Sequence, residues 1–555
     1  MLSLKFIILL QAALAFALSF HQDPKAARTV PAKKKSQRCS TQSFSFPHLD
    51  GAEPLAISAT EIFNYTSVST RPGANNGSRY TINFCNITVT YTHPGWNDAI
   101  HVQVWLPLDS WNGRLQALGG GGYSASFGSL YMTQAVAQGY VAIDTDAGHG
   151  AGTVAAQQPG DWVLTSPGNA NLYLIQDYAS RSLYDMTVIG KAVTKQYLGS
   201  LPRFSYFSGC SGGGRQALML AQRYPHAYDG ILSIAPAINM ENFIPAAYWA
   251  QQIMKSLRAY PPPCEIEAFT RAAVEACDEL DGVKDRIISE PKRCHFSPHS
   301  IVGQNFTCNG TETRAFTSTG ALVVEAAWNG PRNGAGNIGW FGLNKDASLT
   351  SMYVTSECSA NGTCSAAPSL LQGWIRYFIA KDPKFSATNM TDEEFFSLLQ
   401  RSDREYHSIL GSADPDLSAF RQAGGRLISW HGLADEVIPP DGSIAYYQQV
   451  LAMDPAADEF YRFFEAPGVG HCQTTFAPIP NNALDQLIDW VELGVLPETL
   501  TATSTDGSTR PLCPYPSQQI YVGGNGTVAG SFACAPRPVA GIGVSDGIPS
   551  FFRPS

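Results

Sequence analysis

Phe204-Ser205-Tyr206-Phe207-Ser208-Gly209-Cys210-Ser211-Gly212-Gly213-Gly214-Arg215-Gln216-Ala217-Leu218-Met219-Leu220-Ala221 is the stretch on which the fold turns. Phe204 to Phe207 is a short apolar, aromatic run of strand type, and Gln216 to Ala221 is helix-like. Between them stands Gly-x-Ser-x-Gly, from Gly209 to Gly213. A serine on a sharp strand-to-helix turn projects its hydroxyl at the C-terminal end of a sheet strand. The small neighbours leave room where a Cβ would collide with the crowded turn. The start of the helix places the Gly212 N–H where an oxyanion would form. Gly-rich turns often produce the five-residue pattern, so its weight comes from the strand before it and the helix after it.

Working outward, Thr81 to Leu106 alternates apolar and polar residues, as half-buried strands do. Leu115–Leu118, Tyr140–Ile143, Gly230–Ile234 and Arg426–Trp430 are further short apolar runs separated by helical stretches. That rhythm predicts βαβ units and a mostly parallel sheet in an α/β fold. It breaks between about Met240 and Arg404, where Gly/Pro turns, cysteines, and Trp249, Trp328, Trp340 and Trp374 collect. This part reads as an inserted domain, with the α/β pattern resuming near Phe420.

A serine nucleophile needs a base, and the base needs an orienting acid; in such sheets the chain order is Ser, Asp/Glu, His. The strand ending at Trp430 runs into His431-Gly432-Leu433-Ala434-Asp435-Glu436, which puts Asp435 just beyond a strand end. Tyr461 to Phe464 leads into the Gly-rich loop that carries Gly470-His471-Cys472. Ser211, Asp435 and His471 are the expected triad. Glu436, Asp441 and His431 compete, with His431 read as a structural turn histidine. Cys210 adjoins Ser211 and Cys472 adjoins His471. A Cys210–Cys472 bridge would hold nucleophile and base as neighbours, the alternative being that either pairs elsewhere. Leu118-Gly119-Gly120-Gly121-Gly122-Tyr123 would bring backbone N–H groups to a substrate carbonyl, with Gly122 taken as donor beside Gly212. No Gly-Lys-Ser/Thr follows, so a phosphate cradle is the poorer reading of that loop, and a flexible turn is the bland one.

The chain has 555 residues, 44% hydrophobic and 15% charged, with a formal charge of −9. From Cys39 onward 30 basic face 45 acidic side chains, a charge of −15. Such a balance gives no electrostatic reason to bind nucleic acid or an anionic membrane. Lys5, the apolar Phe6–Ala17 and Ala15-Phe16-Ala17 form a secretory signal over residues 1–19, followed by a basic leader, 20–38. The apolar run falls short of the ~20 residues a spanning helix needs. Twelve cysteines and eight Asn-x-Ser/Thr sequons (Asn64, Asn76, Asn86, Asn305, Asn309, Asn361, Asn389, Asn525) agree with a secreted, disulfide-bonded glycoprotein. Local spacing suggests the pairs Cys264/Cys277, Cys294/Cys308, Cys358/Cys364 and Cys513/Cys534, which leaves Cys39 and Cys85 for each other.

The run Gly209-Cys210-Ser211-x-Gly213-Gly214-Arg215-Gln216, Ala221-Gln222-Arg223-Tyr224-Pro225, the Asp435 loop and Gly470-His471-Cys472 together resemble the fungal and bacterial tannase/feruloyl esterase family. The resemblance runs from about Cys39 to the C-terminus. It implies an α/β-hydrolase core, a large lid, a bridged Cys-Ser and His-Cys pair, and hydrolysis of phenolic carboxylic esters. On that resemblance, residues 39–240 are the first part of the core, 241–404 the lid and 405–555 the second part of the core. It also implies a structural calcium ion in the lid, at Asp278-Glu279-Leu280-Asp281-Gly282-Val283-Lys284-Asp285-Arg286-Ile287. Asp278, Asp281 and Asp285 with the carbonyls of Val283 and Ile287 would supply the oxygen ligands calcium takes. No organic cofactor is implied.

The chain departs from the family at Gly212, where relatives commonly carry Thr or another side chain, and through Phe306–Met390, where the lid is poorly matched. The expected substrate is a small or polysaccharide-linked aromatic ester, with the four lid tryptophans stacking on its acyl ring. The same machinery acting on a non-phenolic ester is the alternative. A non-catalytic binding protein on this scaffold would be expected to show a broken triad.

Overall fold

The computed structural model describes residues 38–68, 78–152, 157–308, 310–360, 362–367, 369, 371–387, 390–472 and 476–537. The signal peptide, the basic leader up to residue 37 and the sequons at Asn76, Asn309, Asn361 and Asn389 lie outside these residues.

Nine strands make the central sheet: β1 (Glu53–Val68), β2 (Arg79–Thr92), β3 (Ile100–Pro107), β4 (Arg114–Leu118), β5 (Val141–Thr145), β6 (Phe204–Cys210), β7 (Gly230–Ile234), β8 (Arg426–Gly432) and β9 (Tyr461–Ala466). Their spatial order is β1-β2-β3-β5-β4-β6-β7-β8-β9. The first three pairings in that order are antiparallel and the next five parallel, as the alternating and then continuous apolar runs predict. The long β1 carried no strong apolar signal, because most of its residues are exposed.

The helices that bear on the site are α1 (Ser129–Ala137), α2 (Ser182–Leu198), α3 (Gly212–Arg223), α4 (Pro263–Cys277), α5 (Pro440–Met453) and α6 (Ala483–Leu493). Side chains alternate across the sheet. Val141 and Ile143 face one core with Met186, Leu218 and Tyr447 from α2, α3 and α5. Ala142 faces a second core with Met132 of α1 and Leu487 of α6. The architecture is the α/β-hydrolase type, helices on both faces of a mostly parallel sheet.

The chain between β7 and β8 builds most of a third apolar core, which Trp162, Ile175 and Tyr178 join from before β6. Trp249, Trp328, Trp340 and Trp374 are all buried in it, none more than 9% exposed. This corrects the expectation that they stack on a substrate ring: their faces are consumed by packing, Trp374 against Phe378 at 4.0 Å and Trp249 against Phe395 at 5.1 Å.

All twelve cysteines pair. Cys39–Cys85, Cys210–Cys472, Cys358–Cys364 and Cys513–Cys534 form as the sequence suggests. The other four exchange partners: the bridges are Cys264–Cys308 and Cys277–Cys294. Cys264 and Cys277 occupy opposite ends of α4. A helix of that length holds them about 20 Å apart, whereas a disulfide needs Cα atoms within about 7 Å.

Candidate active site

Ser211 stands between β6 and α3 with φ 62° and ψ −121°, a backbone region non-glycine residues seldom occupy. The strain is held from both sides. Ser211 N donates to Ile234 O at 3.0 Å, and its carbonyl accepts from Arg215 N at 3.0 Å and Ala237 N at 2.9 Å. Two glycines make the turn possible. A Cβ on Gly209 would stand 2.6 Å from the Gly213 carbonyl carbon, and one on Gly213 would stand 2.8 Å from Gly120 O.

Asp435 lies beyond the end of β8 and is fully buried. Its Oδ1 accepts from Val437 N and Ile438 N, both at 2.8 Å. Its Oδ2 meets His471 Nδ1 at 2.9 Å and His431 Nε2 at 3.1 Å. Burial opposes a charge there, but the His471 charge and the hydrogen bonds from His431 and His471 outweigh it and hold the carboxyl well below its usual range. An ionised carboxylate only accepts, so both histidines donate to it. His471 then carries its proton on Nδ1 and presents Nε2 as the basic position. Burial works to lower the His471 pKa, yet the Asp435 charge and hydrogen bond, with Glu436 behind, leave it above the ordinary 6.5.

The Cys210–Cys472 bridge, with Cα atoms 5.9 Å apart, fixes the serine turn to the histidine loop. Ser211 and His471 are each one residue from that bond. The competing acids have other work. Glu436 Oε2 accepts from the backbone N of His471 at 2.9 Å, and Asp441 pairs with Lys292.

His431 is more than a turn residue. It sits in β8, fully buried, with Nδ1 2.8 Å from Ser443 Oγ of α5. Its place on Asp435 was missed because nothing in the local sequence signals that α5 brings a hydroxyl behind it.

The glycine loop after β4 lies against the serine turn, Gly213 N donating to Gly120 O at 3.0 Å. The N–H groups of Gly119, Gly120 and Gly121 are spent on Ser208 O, Gln216 Oε1 and Ser124 O. The carbonyl of Gly122 accepts from Tyr178 Oη at 2.7 Å. A Cβ on Gly212 would stand 3.1 Å from that same oxygen, so Gly122 and Gly212 are neighbours.

In the acidic turn after α4, Asp278 Oδ1 accepts from Asp285 N at 3.0 Å and Arg286 N at 2.7 Å. Asp281 Oδ1 accepts from Val283 N at 2.9 Å, and Asp285 Oδ2 pairs with Arg510 at 2.6 Å. Burial, with the Asp278 charge, raises the Asp281 carboxyl despite hydrogen bonds from Ser289 and Val283. Burial and Asp281 likewise raise Asp285, although Arg510 opposes them. The turn offers the oxygen donors a hard divalent cation takes, but its three carboxylates do not bring one oxygen each within 4.8 Å of the others.

The family model described as "Tannase and feruloyl esterase" matches residues 85–535. The chain belongs to the tannase and feruloyl esterase family. It is 40% identical over 502 residues to a "Probable feruloyl esterase" of Arthroderma benhamiae, covering 88% of this chain and 92% of that one. It is 28% identical over 538 residues to a "Tannase" of Aspergillus oryzae, covering 87% and 88%. Among solved structures it superposes on a tannin acyl hydrolase from Aspergillus niger with TM-score 0.80 at 27% identity, covering 90% of this chain and 95% of that one. As a member of this family the chain is a carboxylic ester hydrolase. No helix among the described residues is long and apolar enough to cross a membrane.

Proposed function

We propose that the chain is an exported serine esterase that cleaves phenolic-acid esters through an acyl-enzyme on Ser211. His471 Nε2 takes the Ser211 proton as the oxygen attacks the ester carbonyl, and Asp435 stabilises the imidazolium formed. The N–H groups of Gly212 and Gly122 steady the oxyanion. His471 then passes its proton to the departing alcohol, and a water deprotonated by the same nitrogen releases the acid. The observation that carries this reading is the Cys210–Cys472 bond, which joins the strained serine turn to the histidine that Asp435 orients.

The phenolic substrate class follows the feruloyl esterase and tannase names of the relatives. Export is supported by twelve cysteines held in six disulfides, as an oxidising compartment allows. Residues 241–404 are read as the lid. Asp278, Asp281 and Asp285, with the carbonyls of Val283 and Ile287, would hold a structural calcium ion whose charge offsets theirs.

Hydrolysis of methyl ferulate, methyl gallate and an alkyl acetate, run beside Ser211→Ala, tests the reading. Aryl-ester turnover that Ser211→Ala abolishes is the expected result. Turnover of the alkyl ester alone would leave the triad standing and remove the phenolic assignment.

A further inference from the structure

His93 follows β2, Asp98 precedes β3, and Asp177 opens the helical turn Asp177–Arg181 that leads into α2. Their side chains meet inside the protein, His93 3% and both aspartates 0% exposed. His93 Nδ1 lies 2.6 Å from Asp98 Oδ2 and 3.7 Å from Asp177 Oδ1. One ligand-type atom from each of the three falls within 4.8 Å of the others. Neither oxygen of Asp177 has a hydrogen-bond partner, and with His93 Nδ1 no nearer than 3.7 Å much of the cost of burying that carboxylate is unanswered.

The surroundings are those of ligands held in place. Asp98 spends Oδ1 on Thr92 Oγ1 at 2.6 Å and His93 N at 2.8 Å, which turns Oδ2 inward. His93 Nε2 meets Asp185 Oδ2 at 3.0 Å, and Asp185 is steadied by Tyr91 Oη and Arg181 Nε, both at 3.1 Å. A carboxylate behind the far nitrogen of an imidazole is the arrangement that orients a metal-ligating histidine.

We infer that His93 Nδ1, Asp98 and Asp177 bind a first-row divalent cation, zinc foremost, separate from the acidic turn after α4. One imidazole nitrogen and two carboxylates are a ligand set zinc takes, with a remaining position for water. Ligands of one zinc ion stand about 3.3 Å apart, so binding parts His93 from Asp98 by less than 1 Å. The proton between them leaves to solvent, and Nδ1 donates its lone pair to the ion. The ion has a place in the mechanism too. Tyr178, which holds the Gly122 carbonyl, is the next residue after Asp177, so a metal here pins the base of the oxyanion loop.

The test uses the full secreted protein in excess calcium, treated with dipicolinate and then titrated with zinc. Stripping lowers Tm and kcat together, and Tm climbs with zinc concentration as linkage requires. Elemental analysis finds one equivalent of transition metal, lost in Asp177→Asn. Asp185→Asn, which removes no ligand, weakens zinc affinity about 10- to 100-fold. The inference is overturned by a folded, calcium-replete wild type that takes up no zinc, manganese or cobalt and whose Tm ignores dipicolinate; a proton shared by Asp98 and Asp177 would then replace the ion. It is equally overturned if Asp177→Asn retains the full equivalent. Neither result touches the esterase assignment, which rests on Ser211, Asp435 and His471.

Discussion

Four donors converge on the Asp435 carboxylate: two backbone N–H groups and two histidines. Asp435→Asn removes the charge and leaves an amide where His471 requires an acceptor, so kcat should fall by about 10⁴-fold with the fold intact. The active form needs a neutral His471, whose pKa lies above 6.5 because of Asp435. Wild-type kcat/KM should therefore rise with pH through a value above 6.5, and the residual limb of Asp435→Asn should move to lower pH. Stability runs by the opposite sign for the two groups. The depressed Asp435 contributes above its unfolded value and loses that contribution as pH falls through its folded one; the raised His471 contributes at low pH and loses it as pH rises through its folded pKa. The pairing of Asp435 with His471 was legible because each sits just past an apolar strand in the order a serine triad would demand. His431 was not, since its partners Asp435 and Ser443 become its neighbours only when α5 packs onto β8.

At the scale of elements, the serine turn is a contact between backbones, and Gly213 is where it meets the glycine loop after β4. Gly213→Ala would set a Cβ 2.8 Å from Gly120 O, backbone against backbone. The expected cost is about 1–3 kcal/mol of stability, seen as a lower Tm, with a larger proportional loss of kcat because the oxyanion loop must retreat. Tyr178 acts on that loop from behind. Removing its hydroxyl in Tyr178→Phe frees the Gly122 carbonyl, and a lost hydrogen bond of about 0.5–1.5 kcal/mol translates to a fall of up to about tenfold in kcat with KM little changed. A KM change without a kcat change would argue against that placement. The strands of the core were readable because burial on one or both faces writes itself into period two or into unbroken apolar runs. The bridges Cys264–Cys308 and Cys277–Cys294 were not, because closeness in sequence is no closeness in space when α4 separates the sulfurs.

Over the whole molecule, the bond between Cys210 and Cys472 spans 262 residues and encloses the entire insertion. In the chain-entropy picture so long a loop is stabilised by about 5 kcal/mol. Cys210→Ser with Cys472→Ser should lower Tm and, because the base loop is released from the serine turn, lower kcat as well. Chelating calcium should lower Tm while leaving the pH limb of His471 in place, as expected of a structural ion at Asp278, Asp281 and Asp285. The insertion was legible as a break in the α/β rhythm, but not what its tryptophans do. An indole is equally suited to a core and to a substrate pocket, and only packing decides between them.

The most direct test of the central claim is acid-quenched mass spectrometry during turnover of a feruloyl ester, followed by peptide mapping. A feruloyl adduct on the peptide containing Ser211, absent in Ser211→Ala, is the predicted result. An adduct on another residue, or hydrolysis that continues undiminished in Ser211→Ala, would contradict it.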